Sequence, residues 1–454
     1  MRVAIVGSGP SGCYAAGHVL KARPDAEVDL LERLPTPWGL VRGGVAPDHP
    51  KIKSVTRVYE KTAADPRLRF FGNVEVGRDV THEELASWYD AVVYAVGTAG
   101  ARPLAIPGED LAGSHSATEF VGWYNGHPDH RDLEVDLRRA DRVVVIGNGN
   151  VAIDVARMLC LSRDELAGTD IADHALDVLS AGTVREVVVL GRRGPEQAAF
   201  TTPELLELGE LDGVDVIVDP GELELADDLR ETGLDAAAQR RTEVLHEYAA
   251  RPPRGAAKRI VLRFCAAPVR LVGGSHVEGV EVVRNTLRRG ADGRIGAVAT
   301  DQVETIDAGL VLAAVGYTGR PLAGLPFDAH RGRLPHDGHG RILAADGRPL
   351  AGAYVAGWIK RGPSGVIGTN KKCAQETVDA LLADAEAGRL APPAADAPRH
   401  AEAVQALLRE RVGALVTYAG WEAIDARERD AGAAQGRPRI KLSRRRELLQ
   451  AAGV

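Results

Sequence analysis

The feature that most constrains this chain is one pattern written twice. Near the N-terminus, the apolar run Val3-Ala4-Ile5-Val6 leads into Gly7-Ser8-Gly9-Pro10-Ser11-Gly12 and then a helical stretch from about Cys13 to Lys21. Near the middle, Arg142-Val143-Val144-Val145-Ile146 leads into Gly147-Asn148-Gly149-Asn150-Val151-Ala152 and a helical stretch from Val151 to Leu161. Short β-branched runs closed by glycine predict buried strands, and each glycine turn predicts a strand-to-helix crossover. Both halves then continue alike. A second strand is expected at Val28–Leu31, ending on Glu32, and at Glu186–Leu190, ending on Gly191. A later strand closes on glycine in each half, over 91–96 and over 310–315. The expected fold class is therefore α/β, with two Rossmann-like dinucleotide-binding domains.

The turns state what such domains hold. In G-x-G-x-x-G the first glycine makes the tight turn, the second lets backbone approach a pyrophosphate, and the third lets helix and strand pack closely. The helix N-terminus adds free N–H groups and partial positive charge. Gly7, Gly9, Ser11 and Gly12 supply this pattern, and Glu32 stands twenty residues after Gly12, where an acid can accept bonds from ribose hydroxyls. Pro10 cannot donate an N–H, but the other amides of the turn can. Cys13 opens the helix, where a thiol could be acidified, though a small buried residue is the plainer expectation. The second turn is a G-x-G-x-x-A variant. The strand after it ends not in an acid but in Gly191-Arg192-Arg193-Gly194. Guanidinium forks match a ribose 2′-phosphate that an acid would repel, so NADP is expected rather than NAD. Arg192 lies 45 residues after Gly147, beyond the usual spacing of about 20. The excess is assigned to residues 162–183, read as an insertion. Thr201-Thr202-Pro203-Glu204 has the form of a helix N-cap, and locally Glu204 reads as a capping residue slightly better than as a cofactor contact.

Composition narrows the classes further. The 454 residues are 45% hydrophobic and 26% charged, enough apolar material for real cores. A net charge of -7 argues against a general nucleic-acid binder. Cys13, Cys160, Cys265 and Cys373 are widely separated and never form CxxC. That argues against a dithiol centre, a zinc ribbon or an iron–sulfur cluster in this chain, predicts no metal site, and fits a reducing, cytoplasmic setting. No signal peptide is read at the start and no apolar run approaches about 18 residues, so no membrane span is expected. Tyr354-Val355-Ala356-Gly357 reads as a further strand that returns to the first domain. The expected division is 1–101 and 326–454 for the first, discontinuous domain and 102–325 for the second. The tail from about Pro392 is Ala- and Arg-rich and expected to be helical, with Arg444-Arg445-Arg446 as a solvated helix face.

Longer motifs carry a resemblance. The run Leu34-Pro35-Thr36-Pro37-Trp38-Gly39-Leu40-Val41-Arg42, then Gly44-Val45-Ala46-Pro47-Asp48-His49-Pro50-Lys51, is similar to adrenodoxin reductase-like NADPH–ferredoxin reductases, closest to their mycobacterial-type branch. The similarity extends through both turns, the arginine pair and the run from Gly357-Trp358-Ile359-Lys360-Arg361 to Gly365-Val366-Ile367-Gly368-Thr369-Asn370. It implies a glutathione reductase-like flavoprotein architecture with FAD and NADP(H) as cofactors. Ser11, Glu32, Leu40 and Val76 would contact FAD, with Trp358, Gly365, Val366 and Ile367 near the flavin ring. Arg102, Asn148, Gly149, Asn150, Val151, Arg192, Arg193 and Glu204 would contact NADP(H), and Gly365 would touch both cofactors. For Glu204 this reverses the local preference for capping. His49 and Glu204 are implied to lie near the nicotinamide and to help handle protons. From the residues alone His49 is equally a turn histidine between Asp48 and Pro50, and Trp358 alone could be plain core, though the glycine-rich stretches on either side of it favour a flavin neighbour.

The implied activity is hydride transfer between NADP(H) and FAD, followed by single-electron transfer to a separate ferredoxin-type iron–sulfur protein. Lys51, Lys53, Arg57, Lys61, Arg67 and Arg69 form a basic segment that could dock such an acidic partner, or could be ordinary solvated charge. A disulfide reductase would need a redox cysteine pair. A flavin-dependent monooxygenase and an electron-transfer module of a glutamate synthase-like complex remain alternatives. A non-catalytic nucleotide-binding protein would leave two complete cofactor sites without a purpose.

Overall fold

The computed structural model describes residues 1–454 except 225–228, 230–233, 391, 395, 396, 399 and 400. The chain forms two compact units. The first contains Met1–Gly100, Asn125–Pro128 and Gly316–Val454, and the second Ala101–Tyr124 and Asp129–Val315.

Among the described residues, the first unit carries a six-stranded sheet in the order Arg341–Leu343, Pro349–Val355, Ala91–Tyr94, Arg2–Val6, Glu27–Glu32, Leu68–Gly72. All neighbours are parallel except the first pair, which is antiparallel. Successive strand residues face opposite sides. Val3, Ile5, Val28, Leu30 and Val93 enter one core with the helices Pro10–Ala22 and Ile367–Glu386. Ala4, Val6, Leu31, Val92 and Tyr94 enter the other. Burial on both faces is why these strands read as unbroken apolar runs. The exception is Asp29, only 1% exposed. Its carboxylate takes two bonds from Arg69 at 2.7 and 2.5 Å and one from the Tyr89 hydroxyl at 2.5 Å. Burial outweighs these partners and pushes the Asp29 carboxyl above its usual range.

The tail is helical over Ala401–Val412, Tyr418–Ala433 and Arg445–Ala451. Glu428, 1% exposed, ties it to the segment after Leu40 by accepting bonds from Arg42 at 2.8 and 2.5 Å, Arg439 at 3.1 Å and the Leu442 amide at 2.9 Å. The arginine run 444–446 is not simply a solvated face. Arg445 donates to Arg33 O at 3.2 Å and Asn73 Oδ1 at 2.5 Å.

The second unit carries a six-stranded sheet in the order Ser114–Ser116, Leu310–Ala313, Arg142–Ile146, Glu186–Leu190, Lys258–Arg263, Val214–Val218, with every neighbouring pair parallel. Val143, Val145, Val187 and Val189 face a core completed by the helix Asn150–Cys160. Val144, Ile146, Val188 and Leu190 face the opposite core, shared with an antiparallel sheet of Ala266–Val272, Gly279–Arg289 and Ile295–Asp307. Residues 162–183 hold two short helices, Arg163–Ala167 and Asp173–Ser180. They lengthen the path from the helix Asn150–Cys160 to the strand Glu186–Leu190.

Removing the Asp29 carboxylate by Asp29→Ala would leave the half-buried guanidinium of Arg69 and the buried Tyr89 hydroxyl without their acid. The variant is expected to lose about 3–5 kcal/mol of stability, the usual cost of breaking a buried pair from one side. Urea denaturation of variant and parent checks this, and equal midpoints would contradict it.

Candidate functional site

In the first unit the strands Pro349–Val355, Ala91–Tyr94, Arg2–Val6 and Glu27–Glu32 lie side by side, and their C-terminal ends open on one edge. That edge is where open α/β sheets bind ligands. Gly7 follows the strand Arg2–Val6 at φ 101°, and a Cβ there would stand 2.6 Å from Ala95 O. A Cβ on Gly12 would stand 1.9 Å from Gly7 O. Both glycines are thus demanded by the protein's own packing. Gly9 is different. Its φ of -71° suits any residue, and the nearest atom to an added Cβ is Gly39 Cα at 3.9 Å. Neither conformation nor packing calls for glycine there, so the space before it is suited to a ligand. The helix Pro10–Ala22 begins beside that space with no side-chain cap, leaving its first amides directed outward.

Glu32 is held at the mouth of the turn. Its carboxylate accepts from Ser8 N at 3.0 Å, Ser8 Oγ at 2.7 Å and Leu34 N at 3.0 Å. Cys13 is buried, its thiol directed to Ser8 O at 3.1 Å. Burial, then the nearby Glu32 charge, pushes that thiol well above its usual range, so it is no reactive thiolate. Trp38 and Gly39 both adopt positive φ, 81° and 49°. This sharp bend brings Gly39 against Gly9 and leaves Leu40 exposed beside it. Val76 is half-buried where Val76 and Val80 bridge. His49 is half-buried and caps the short helix Pro50–Lys53 through its backbone only.

The second chain segment of this unit completes the edge. Gly357, at φ 79°, approaches Ser11 so closely that a Cβ would stand 2.2 Å from Ser11 Oγ. Ser11 Oγ donates to Asn370 Oδ1 at 3.1 Å, and Arg361 Nη2 donates to the same oxygen at 2.7 Å. Trp358 packs against Tyr317 with ring centroids 5.4 Å apart. Its indole N–H is buried without an acceptor among the described residues, which marks a place for a ligand atom. Gly365 has φ 79°, Val366 is exposed, and Ile367 starts the helix Ile367–Glu386 without a side-chain cap. These features fit a dinucleotide carrying a flat ring system.

The second unit repeats the logic. A Cβ on Gly147 (φ 127°) would stand 2.3 Å from Ala314 O, whereas one on Gly149 would meet nothing nearer than Ala199 Cβ at 4.0 Å. Asn148 O accepts from the amides of Ala199 and Phe200 at 3.0 and 2.9 Å, and Asn150 Oδ1 accepts from Thr201 N at 2.7 Å. The turn therefore also holds the loop leading to Glu204. Val151 is half-buried in the first helical turn, and Arg102 is exposed. The main chain of the arginine pair is clamped: Asn285 Nδ2 donates to Arg192 O at 2.8 Å and Cys265 N to Arg193 O at 3.0 Å. Cys265 itself sits at φ 53°. Neither the Arg192 nor the Arg193 guanidinium meets an acid among the described residues. Glu204 does not cap its helix. Thr201 is the N-cap but makes no side-chain cap bond, and Glu204 Oε2 is buried without a partner among the described residues.

Ser8, Asn370, Arg361 and Asn285 support these sites and were not singled out from sequence. Ser8 sits inside the first motif, which was a local signal. Asn285 had none, since it reaches the arginine pair from 93 residues away.

Comparison with known proteins agrees with this geometry. Residues 1–181 match the family model described as pyridine nucleotide-disulphide oxidoreductase. The NADPH-ferredoxin reductase FprA of Mycobacterium tuberculosis is 52% identical over 454 residues, covering 99% of this chain and 98% of that protein. The mitochondrial NADPH:adrenodoxin oxidoreductase of Arabidopsis thaliana is 40% identical, covering 100% and 95%. The structure of M. tuberculosis FprA in complex with NADPH superposes with a TM-score of 0.94 at 51% identity, covering 100% of this chain and 99% of that one.

Two glycine substitutions separate ligand from fold. Gly9→Ala is expected to leave the unliganded thermal midpoint unchanged or slightly raised while weakening dinucleotide binding. Gly12→Ala is expected to cost about 3 kcal/mol or more, because the clash is with backbone. Calorimetry on both variants distinguishes the two roles, and equal destabilisation would refute the assignment.

Proposed function

The chain belongs to the NADPH–ferredoxin reductases of the adrenodoxin reductase family, and from that premise we propose that its first unit holds FAD and its second NADP(H). The reaction is that of a ferredoxin–NADP+ reductase: NADPH and two oxidised ferredoxins give NADP+, a proton and two singly reduced ferredoxins. FAD, when bound, supplies the exchange between a two-electron hydride and single electrons.

The residues of this chain bind and orient. Glu32, steered by both Ser8 donors, accepts from the ribose hydroxyls of the FAD adenosine. The amides at the start of the helix Pro10–Ala22 offset pyrophosphate charge, with Ser11 fixed from behind by Asn370 and Arg361. Leu40 and Val76 line the FAD site. The Trp358 N–H, Gly365, Val366 and Ile367 meet the flavin side of the same cofactor. Asn148 to Val151 and the helix Asn150–Cys160 receive the NADP(H) pyrophosphate, with Arg102 at its margin, and Arg192 and Arg193 grip the 2′-phosphate. Glu204 Oε2, buried and without a partner among the described residues, is the acceptor for a proton or amide N–H of the nicotinamide, and His49 helps to handle protons. The acceptor protein is a separate ferredoxin. No helix among the described residues is long and apolar enough to cross a membrane. Four free cysteines fit a reducing compartment such as the cytoplasm.

The observation that carries this reading is the pair of second glycines, Gly9 and Gly149, which nothing in the protein requires. Anaerobic titration of the purified protein with NADPH, with NADH beside it, is expected to bleach a flavin spectrum readily with the first and poorly with the second. In the double variant Arg192→Ala/Arg193→Ala, KM for NADPH should rise about tenfold or more, equivalent to ~1.4 kcal/mol of lost binding, while NADH kinetics stay unchanged. An unchanged NADPH KM would remove the basis for the 2′-phosphate site.

A further inference from the structure

The basic segment 51–69 does not act as one surface. Arg69 is committed to Asp29, and Arg67 to Asp65 at 2.7 Å and to the carbonyls of Arg23 and Pro24. Lys53 donates to Asn125 Oδ1 at 3.3 Å. Lys51, Arg57 and Lys61 are left exposed, with no ion pair among the described residues. They share a surface. The helices Pro50–Lys53 and Thr56–Ala63 run on almost without a break, since Ser54 N donates to Pro50 O, Arg57 N to Ser54 O and Val58 N to Val55 O. Steps of three and four therefore align Lys51, Ser54, Arg57, Val58 and Lys61 along one outer stripe. Tyr59 and Ala63 face inward. Val58 is 52% exposed, and Ile52, next to Lys51, is 42% exposed. Residues 51–59 contain no acid, and the first one after them, Glu60, lies 3.9 Å from Arg429. Ile52 lies two turns before Tyr59, on the other side of the helix, so Val58 is the apolar side chain set among these uncompensated cations, a local reversal of sign in a chain of net charge -7.

The inward side of the same helix leads to the first glycine turn. The Tyr59 ring lies 5.7 Å from the Trp38 ring, and the next residue, Gly39, meets Gly9. One aromatic layer separates the stripe from the glycine that faces the proposed pyrophosphate.

We propose that the stripe Lys51, Arg57 and Lys61, with Val58 between them, is the docking surface for the acidic iron–sulfur protein that accepts electrons. This rests on the ferredoxin reductase reading above. The cations steer the partner and fix its register, and Val58 supplies the dry centre of the contact.

The test uses the full-length flavin-loaded protein with NADPH and two acceptors: ferricyanide, and a purified acidic [2Fe–2S] ferredoxin. The variant Lys51→Glu/Arg57→Glu/Lys61→Glu is expected to raise KM for the ferredoxin about tenfold or more and to flatten its dependence on salt, with ferricyanide reduction unchanged. Val58→Ser should raise the ferredoxin KM without altering the salt dependence. A ferredoxin KM and salt dependence like the parent's in the triple variant would overturn the docking surface alone. A parent protein that reduces ferricyanide but not ferredoxin would overturn the acceptor reading, and the docking surface with it.

Discussion

Each cofactor turn depends on a main-chain contact that only glycine permits. At the first, Gly12 in the helix lies against the carbonyl of Gly7. This places the helix start directly over the end of the strand and fixes where its free amides point. At the second turn the place of Gly12 is taken by Ala152, and the contact that demands glycine is that of Gly147 with Ala314 O, the counterpart of Gly7 with Ala95 O. Once these contacts are made, the position of Gly9 or Gly149 follows, and with it the space that a phosphate can enter. On the proposed assignment, the acid after one turn and the arginines after the other then act on a ligand whose placement backbone packing has already limited.

The use of charge is uneven, and the unevenness is informative. Most buried acids serve several donors each. Asp29 binds Arg69 and Tyr89, and Glu428 binds Arg42 and Arg439. Asp384 accepts from Arg341, Tyr354 and Arg389, and although burial pushes it upward, these bonds bring its carboxyl down to about 2. Such networks stitch distant segments of one unit together. Against them, Arg192 and Arg193 at the turn after Leu190, and Lys51, Arg57 and Lys61 on the outer stripe, meet no acid among the described residues.

Much of this was legible in the sequence because it is local. The strands announce themselves as apolar runs, since both sheet faces are buried. The glycine turns and Glu32 are read at fixed spacing from them. What was not legible crosses the chain. Asp29 sits inside an apolar run, and only the arrival of Arg69 and Tyr89 from other elements explains it. The cap pattern around Glu204 is present in the letters but not made, because Asn150 takes the Thr201 amide first. Arg445 reads as a solvated residue until Asn73 and Arg33 come to meet it. Asn285 carries no motif at all.

The clamp on the arginine pair divides labour within two residues. The carbonyls of Arg192 and Arg193 are held by Asn285 and Cys265, while their side chains extend with no structural duty. Architecture is carried by atoms common to every amino acid, and recognition by atoms that can be exchanged. On the proposed assignment of the pair to the 2′-phosphate, coenzyme preference is free to drift in evolution, or to be redesigned, without the loop that presents it having to be rebuilt.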